Sequence, residues 1–329
     1  MKAIVSARYG PPDVLELKDV EKPAPDEGRV LVEVRAASVN VADWHSAHGG
    51  IARLFGGVRR PKDPRVGIDV AGRVEAVGSK VTQFHPGDEV FGGCAGAFAE
   101  YATAREDRLA LKPANVSFAE AAAVPVAGIT ALQGLRDKGQ IHAGQKVLVN
   151  GASGGVGTFA VQLAKSFGTD VTGVCSTRNL ETARSIGADH VIDYTKEDFT
   201  RNGQRYDLIY DVVGNHSIAA YKRALNPGGT CIIAGFGFPS VSIVRLLGFM
   251  ILAPLRSKFG DRKVGFMGIA KLNQKDMAYL GELLEVGKVK PVIDRRYPLS
   301  EAAEAMRYLG TGHARGKVVI TVDHNDQGA

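Results

Sequence analysis

A glycine-rich turn at residues 151–157 is the stretch of this sequence whose residue types point most directly to chemistry. An apolar run at 146–150 precedes it, and residues 158–165 after it have the composition of a helix. The N–H groups that open a helix have no partner within it and attract an anion, and glycine lets a pyrophosphate approach the backbone. The pattern therefore predicts a dinucleotide site, with a purely structural turn as the alternative. The expected cofactor contacts are Ala152, Ser153, Gly154, Gly155, Val156 and Gly157.

The end of the next predicted strand, 171–175, bears on which dinucleotide binds. An acid at this point would bind the adenosine ribose as a diol and repel a 2′-phosphate. Here Ser176, Thr177 and Arg178 follow the strand, and no acid occurs before Glu181. Hydroxyls and a guanidinium suit a phosphate, so the sequence predicts NADPH over NADH. The alternative for Arg178 is an exposed cation at the start of a helix.

The first third of the chain is predicted to be rich in β-strands. Short apolar runs alternate with Pro, Gly and Asp turns, a spacing typical of a compact, barrel-like domain rather than a parallel sheet. Ser117 and Glu120 form a capping box, which indicates the start of a helix. The strands expected in this part are 2–6, 15–20, 29–38, 69–77 and 89–92.

From residue 145 the pattern changes to alternating strands and helices. Such alternation predicts a parallel sheet with right-handed connections and helices on both faces. After residue 288 short elements return, ending in a strand at 317–321, and they are expected to complete the first domain. The predicted boundaries are therefore 1–120 with 289–329 for one domain and 121–288 for the cofactor domain. The strands expected in the second are 146–150, 171–175, 190–192, 208–212 and 230–234.

Composition excludes several other classes of protein. The 329 residues carry a formal net charge of +6 with no basic block, so nucleic acid is not an expected partner. The three cysteines, Cys94, Cys175 and Cys231, have neither metal-ligand nor disulfide spacing, which favours a reducing, cytoplasmic compartment. The N-terminus has no signal-peptide h-region, and no apolar stretch reaches the ~18 residues of a membrane span.

Several motifs together resemble the medium-chain dehydrogenase/reductase superfamily, in its zinc-free quinone-oxidoreductase branch. The tail and Asp43-Trp44 are most similar to the reticulon-interacting-protein-like subgroup. The resemblance implies an α/β protein with a GroES-like β-barrel domain, a Rossmann domain with a doubly wound parallel sheet, and an active site in the cleft between them. The matching stretches are 37–44, 67–72, 77–78, 84–90, 96–101, 152–157, 211–214 and 311–319.

The same resemblance implies that no metal takes part. The positions of the family's three catalytic zinc ligands carry Asn40, Ile68 and Val126, and an amide with two aliphatic side chains does not bind zinc. His45 and His48 lie near Asp43, but hydrogen-bonded or exposed histidines are the preferred interpretation. Without a Lewis acid, hydride delivery to an already electrophilic acceptor is favoured over alcohol oxidation.

The expected function is therefore hydride transfer from NADPH to a quinone or an α,β-unsaturated carbonyl, with a lipophilic acceptor and a homodimer. The alternatives are an NADP-dependent carbonyl or alcohol dehydrogenase without zinc, and an NADPH-binding protein with a mainly non-catalytic partner role. The apolar segment 241–255 is expected to be a buried helix, a dimer contact or a wall of the substrate pocket. The resemblance places Asn40 and Trp44 in the substrate cleft, Tyr194 near the adenosine, and Asn215, Gly235, Phe236 and Gly237 beside the nicotinamide. For Asn40, a hydrogen bond to a substrate carbonyl and a purely structural amide are both open.

Overall fold

A computed structural model describes residues 1–49, 60–235 and 260–324 of the chain. The chain divides into two compact units. The first comprises Met1–Val126, Leu272–Gly287 and Pro291–Ala329, and the second comprises Ala127–Lys271 and Lys288–Lys290. Residues 272–287 thus group with the first unit, whereas the sequence-based boundary assigned them to the second. The predicted boundaries at 120 and 288 otherwise stay a prediction.

The first unit contains a mostly antiparallel seven-stranded sheet and a separate two-stranded ribbon. The strands are β1 (Lys2–Ser6), β2 (Leu15–Asp19), β3 (Arg29–Val39), β4 (Asp69–Val77), β5 (Glu89–Gly93), β6 (Tyr101–Arg105), β7 (Leu109–Leu111), β14 (Ile293–Pro298) and β15 (Lys317–Thr321). Their order in the sheet is β14-β15-β3-β4-β5-β7, with β6 also paired to β3, and β1 pairs with β2. Among these described strands, β14 and β15 pair in parallel and the other pairs are antiparallel.

The centre of this sheet is β3, whose apolar residues Val30, Val32 and Val34 are fully buried. The C-terminal strand β15 lies beside it, with Val319 opposite Ser38. The chain therefore returns to the first unit, where β15 packs its buried residues into the core. The helices here are α1 (Val41–His48), α2 (Phe118–Ala122), α3 (Pro125–Gln133, which begins at the boundary and continues into the second unit), α7 (Gln274–Glu285) and α8 (Ala302–Gly310).

The second unit is built on a six-stranded parallel sheet in the order β10-β9-β8-β11-β12-β13. The chain moves outward from β8 to β10 and then returns to β11 on the other side of β8. The point between β8 and β11 is therefore the topological switch point, where open α/β sheets bind ligands at the carboxyl ends of their strands. The elements are β8 (Lys146–Asn150), α4 (Gly155–Ser166), β9 (Asp170–Cys175), α5 (Leu180–Ser185), β10 (His190–Asp193), β11 (Tyr206–Asp211), α6 (Ile218–Arg223), β12 (Leu225–Ile233) and β13 (Lys263–Phe266).

Candidate functional site

The glycine turn connects β8 to α4 at the carboxyl edge of the parallel sheet. Gly151 has a φ of +86°, a conformation that L side chains rarely adopt. The N–H groups of Gly151 and Ala152 donate to the Val174 carbonyl at 3.1 and 3.0 Å, which fixes the turn against β9. Gly154 is the N-cap of α4, so the first N–H groups of that helix open at this turn.

Two glycines of the turn have different surroundings. A Cβ at Gly157 would stand 2.0 Å from the Gly151 carbonyl oxygen, so this glycine is required for packing of the helix on the turn. A Cβ at Gly154 would meet only the same oxygen, at an ordinary 3.5 Å, so the protein itself leaves space there. The turn thus has the close packing and the open cradle that a pyrophosphate site requires.

At the end of β9 the structure brings Ser176 next to the glycine turn. The Asn179 side-chain nitrogen donates to Ser153 Oγ at 3.0 Å and to Ser176 Oγ at 3.2 Å, linking the turn to the strand end. Asn179 is 6 % exposed, and its Oδ1 has no hydrogen-bond partner among the described residues. Arg178 is exposed, and no ion pair of it occurs within the described part of the chain.

A carboxylate from the neighbouring strand β10 lies beside the end of β9. The residue types at 171–181 did not predict it. Asp193 ends β10 and is paired in register with Cys175 of β9. Thr177 Oγ1 donates to Asp193 Oδ2 at 2.5 Å, so the hydroxyl that was expected to face a phosphate is used within the protein. Because neighbouring parallel strands end at the same edge of a sheet, the position of Asp193 directly after the predicted strand 190–192 was the signal for this carboxylate in the sequence. Tyr194 follows and is 63 % exposed.

At the switch point a buried carboxylate connects two strand ends. Asp211 is fully buried, and its Oδ1 accepts hydrogen bonds from the N–H groups of Val213 and Gly214, both at 2.7 Å. Its Oδ2 accepts from Asn150 Nδ2 at 3.0 Å, and that nitrogen also donates to Asn215 Oδ1 at 3.2 Å. Asn215 is thus held beside the glycine turn.

The other residues predicted beside the nicotinamide are only partly described. A Cβ at Gly235 would stand 2.1 Å from the Val212 carbonyl oxygen, so glycine is required where these two backbone segments approach each other. Phe236, Gly237 and the apolar segment 241–255 lie outside the described residues.

In the first unit, five polar side chains form a buried cluster around Asp69. Sheet register places Ser38 of β3 opposite Asp69 of β4, and Asn40 follows β3 directly. Asp69 Oδ2 accepts from Ser38 Oγ at 2.7 Å, from Asn40 Nδ2 at 2.9 Å and from Lys317 Nζ at 3.3 Å. Lys317 is 3 % exposed and also donates to Asn40 Oδ1 at 2.6 Å. The fifth member, Asp43, accepts from the Asn40 N–H at 2.8 Å.

These contacts occupy the Asn40 side chain. Its Nδ2 donates to Asp69 and, at 3.4 Å, to the Ser38 carbonyl, while its Oδ1 accepts from Lys317. The geometry therefore favours the interpretation of Asn40 as a structural amide over that of a donor to a substrate carbonyl. Burial, reinforced by the nearby charge of Asp69, raises the pKa of Asp43 to about 7.

Trp44 is half-buried on α1 and packs against the core of the first unit. Its ring stacks on that of His48, with centroids 3.5 Å apart, and His48 Nδ1 contacts the Trp44 carbonyl at 2.9 Å. His45 is half-buried, which lowers its pKa. The two histidines therefore pack around Trp44, consistent with the preferred interpretation from the sequence.

The three positions that would carry a catalytic zinc are occupied as the sequence indicates. The Asn40 side chain is hydrogen-bonded within the cluster around Asp69, and Ile68 and Val126 have aliphatic side chains. The Val126 N–H donates to Asp69 Oδ1 at 3.0 Å. Over residues 1–49, 60–235 and 260–324, no three His, Cys, Asp or Glu side chains come together as metal ligands. Burial raises the pKa of the Cys94 thiol to about 12, so this cysteine is a neutral thiol at physiological pH.

Residues 26–114 match the profile of the alcohol dehydrogenase GroES-like domain, and residues 186–320 match that of the zinc-binding dehydrogenases. The three zinc-ligand positions lie outside the second of these ranges. In the described residues no helix is both long and apolar enough to cross a membrane.

The chain is similar over nearly its whole length to curated reductases. It is 39 % identical to a 2-methylene-furan-3-one reductase of Solanum lycopersicum, over 97 % of this chain and 79 % of that protein. It is 36 % identical, with the same coverage, to a chloroplastic NADPH-dependent alkenal/one oxidoreductase of Arabidopsis thaliana. The structure of a quinone oxidoreductase from Coxiella burnetii superposes with a TM-score of 0.85 at 32 % identity, covering 98 % and 99 % of the two chains. The fold, the glycine turn at the switch point and these similarities together show that the chain belongs to the medium-chain dehydrogenase/reductase superfamily, among its quinone-oxidoreductase-like members.

Proposed function

We propose that this protein is a zinc-independent, NADPH-dependent oxidoreductase that transfers a hydride to a quinone or an α,β-unsaturated carbonyl. The observation that carries the proposal is the glycine turn at the switch point, with its open space at Gly154. The names of the similar proteins support the acceptor class, since they include an alkenal/one oxidoreductase and a quinone oxidoreductase.

The residues present fit a reduced dinucleotide. Residues 152–157 would hold the pyrophosphate through backbone N–H groups, Ser176 and Arg178 would face the adenosine ribose, and Asn215 with Gly235 would line the nicotinamide end. When bound, the reduced nicotinamide supplies the hydride. The chain orients it at the sheet edge, where Asp211 and Asn150 fix the turn that carries Asn215.

For the substrate side, we propose that Trp44 contacts the acceptor and that Asn40 positions Trp44. Asn40 precedes α1, and its side chain is held by Asp69 and Lys317. Hydride addition to an enone or quinone leaves an oxyanion that takes up one proton. The Asn40 amide has no acidic proton to give and is already hydrogen-bonded within the protein, so we propose that water supplies this proton.

The same proposal includes a preference for NADPH, the site residues named above, a lipophilic acceptor, a homodimer and a cytoplasmic location. Arg178 supports NADPH because it is exposed and charged at the strand end. Tyr194 is the neighbouring surface on which an adenine can pack. A light-scattering measurement of molar mass tests the dimer independently of activity.

The direct test is NADPH oxidation measured with a panel of short and long quinones, enones, saturated aldehydes and alcohols. We expect turnover with quinones or enones and none with saturated carbonyls or alcohols. Arg178→Ala is expected to raise the Kd for NADPH about tenfold and leave NADH nearly unchanged, because one charge-assisted contact is lost. Lys222→Ala, a basic residue on α6 outside the glycine turn and the end of β9, is the matched control. Binding of NADPH without turnover of any acceptor would favour the non-catalytic alternative.

A further inference from the structure

Asp193 lies at the same edge of the parallel sheet as the residues proposed to face the adenosine ribose. It pairs in register with Cys175, the residue immediately before Ser176. Neighbouring strands are about 4.8 Å apart, so its carboxylate and the Ser176–Arg178 stretch lie close together. The Tyr194 N–H donates to the Cys175 carbonyl at 3.1 Å, which extends the contact past the end of the strands.

Hydroxyl groups hold this carboxylate in place. Asp193 Oδ2 accepts from Thr177 Oγ1, and Oδ1 accepts from Thr195 Oγ1 at 2.7 Å and from the Thr195 N–H at 3.0 Å. The bond from Thr177 is the largest cause that lowers the pKa of Asp193. The side chain is therefore ionised at neutral pH and has a fixed position.

The positive charges around Asp193 neutralise it only weakly. The ion pair with Lys196 spans 3.7 Å, and the lysine side chain is 70 % exposed whereas that of Asp193 is 9 % exposed. The distance is long and water screens the exposed ammonium group, so this pair gains little. A negative charge thus remains on β10 beside the end of β9, the strand end where an acid disfavours a 2′-phosphate and accepts the hydroxyls of an unphosphorylated ribose.

We propose that Asp193 is a specificity-determining residue that opposes the 2′-phosphate, so that the protein uses NADH as well as NADPH. This rests on the proposed function, since it requires a dinucleotide on the glycine turn. This acid ends β10, whereas the acid of the dinucleotide-binding motif ends the preceding strand, which is β9 here. Arg178 and Asp193 then act on the phosphate with opposite sign, and the preference for NADPH is the difference between the two.

The test is a fluorescence titration of NADPH and NADH against the parent protein and Asp193→Asn. The amide removes the charge and keeps an acceptor for the Thr195 N–H, while its NH2 group replaces the oxygen that accepts from Thr177 Oγ1. We expect the ratio of NADPH to NADH affinity to rise about threefold to tenfold, with most of the gain in NADPH binding at low salt and a smaller gain at 0.5 M salt. Asp193→Ser, which also loses the charge, is a second variant with the same expectation.

Asp189→Asn is the matched control. Asp189 precedes the same strand, and its carboxylate pairs with Lys165. It lies about 13 Å from Asp193 along β10, beyond the Debye length at 0.1 M salt, so the affinity ratio should stay unchanged. A thermal melt of each variant with and without dinucleotide reports whether the fold is intact.

An affinity ratio in Asp193→Asn and Asp193→Ser that equals that of the parent, or falls below it, would overturn the inference. If the parent binds both dinucleotides and turns over an acceptor with that result, only the role of Asp193 is wrong. If the parent binds neither dinucleotide saturably, the proposed function is wrong, and the inference fails with it.

Discussion

At the scale of single residues, Gly154 and Gly157 show how one motif combines two requirements. Both belong to the same turn, and a sequence pattern treats them as equivalent. In the structure a side chain at Gly157 would collide with the Gly151 carbonyl, whereas a side chain at Gly154 would enter open space. Gly157 is therefore required by the fold, and Gly154 leaves room for a ligand.

This difference predicts separable effects of substitution. Gly157→Ala should lower the free energy of unfolding by about 1–3 kcal/mol, because the helix must move away from the turn. Gly154→Val should leave the melting temperature within a few degrees of the parent and raise the Kd for NADPH at least about tenfold, since the side chain fills the cradle. Thermal melts and cofactor titrations of both variants check this. Unchanged affinity in a folded Gly154→Val protein would show that the turn is only structural.

The buried carboxyl of Asp43 predicts a pH dependence of stability. Its pKa is raised to about 7 by burial and by Asp69, against about 3.9 in an unfolded chain. The folded state therefore binds the proton more tightly, so this contribution to stability is complete below pH 4 and is lost as the pH rises through 7. Lys317 acts in the opposite direction. His45 and His48 are on the same helix, and the buried Cys94 thiol also interacts with the charge of Asp43.

Asp43→Asn removes that titration while keeping an acceptor for the Asn40 N–H. We expect the variant to gain stability relative to the parent as the pH rises from 5 to 8, measured by chemical denaturation across the range. His45→Gln is the control for histidine titration on the same helix, since burial lowers the pKa of His45. A difference between Asp43→Asn and parent that does not change with pH would contradict the raised pKa.

At the scale of elements, the cluster around Asp69 shows what β15 contributes besides strand pairing. Its first residue brings a buried ammonium group to a carboxylate on β4 and to the amide that follows β3. The sequence predicted the strand bounds of β15 and β4 correctly. It did not predict the ion pair, because 248 residues separate its members and no local pattern records that distance.

Lys317→Met should therefore cost about 3–5 kcal/mol of unfolding free energy, because it leaves the Asp69 carboxylate buried without a counter-charge. The double variant Lys317→Met/Asp69→Asn should recover part of this loss. Lys165→Met, which breaks the half-exposed pair with Asp189, is the control and should cost no more than about 1 kcal/mol. Urea denaturation measures all three, and a double variant that is no more stable than Lys317→Met would argue against an uncompensated charge.

Local patterns predicted the elements unevenly. Strands with strong apolar runs, such as β1, β4 and β8, have the predicted bounds. Helix α7 and the edge strand β13 carried no comparable signal, and β12 begins five residues earlier than expected. The glycine turn could be predicted because its chemistry is local. The Asp69 cluster could not, because tertiary packing creates it. The contact of Asp193 with the end of β9 depends on strand register, for which the sequence offered only the signal that parallel strands end at the same sheet edge.

At the scale of the whole molecule, the protein combines a mostly antiparallel unit with a parallel, dinucleotide-type unit, and the described residues of both contain no cluster of metal ligands. The positions of the three zinc ligands carry Asn40, Ile68 and Val126, and Asn40 is hydrogen-bonded to Asp69 and Lys317. Elemental analysis of purified protein should therefore find far less than one zinc per chain. Prolonged chelation should leave NADPH oxidation unchanged. Stoichiometric zinc together with loss of activity on chelation would contradict the zinc-independent proposal.

The path of the chain has a consequence for how the protein is made. Asp69 and Lys317 touch in the folded protein, yet the ribosome adds them 248 residues apart. At about 5–20 residues per second, the carboxylate is synthesised roughly 12–50 s before its counter-charge. During that interval all of residues 127–271 emerge, while the edge of β3 that β15 will occupy has no partner strand. The first unit, whose synthesis starts first, is thus the last to complete its sheet. A nascent chain stalled before residue 317 presents an open sheet edge to which a chaperone can bind.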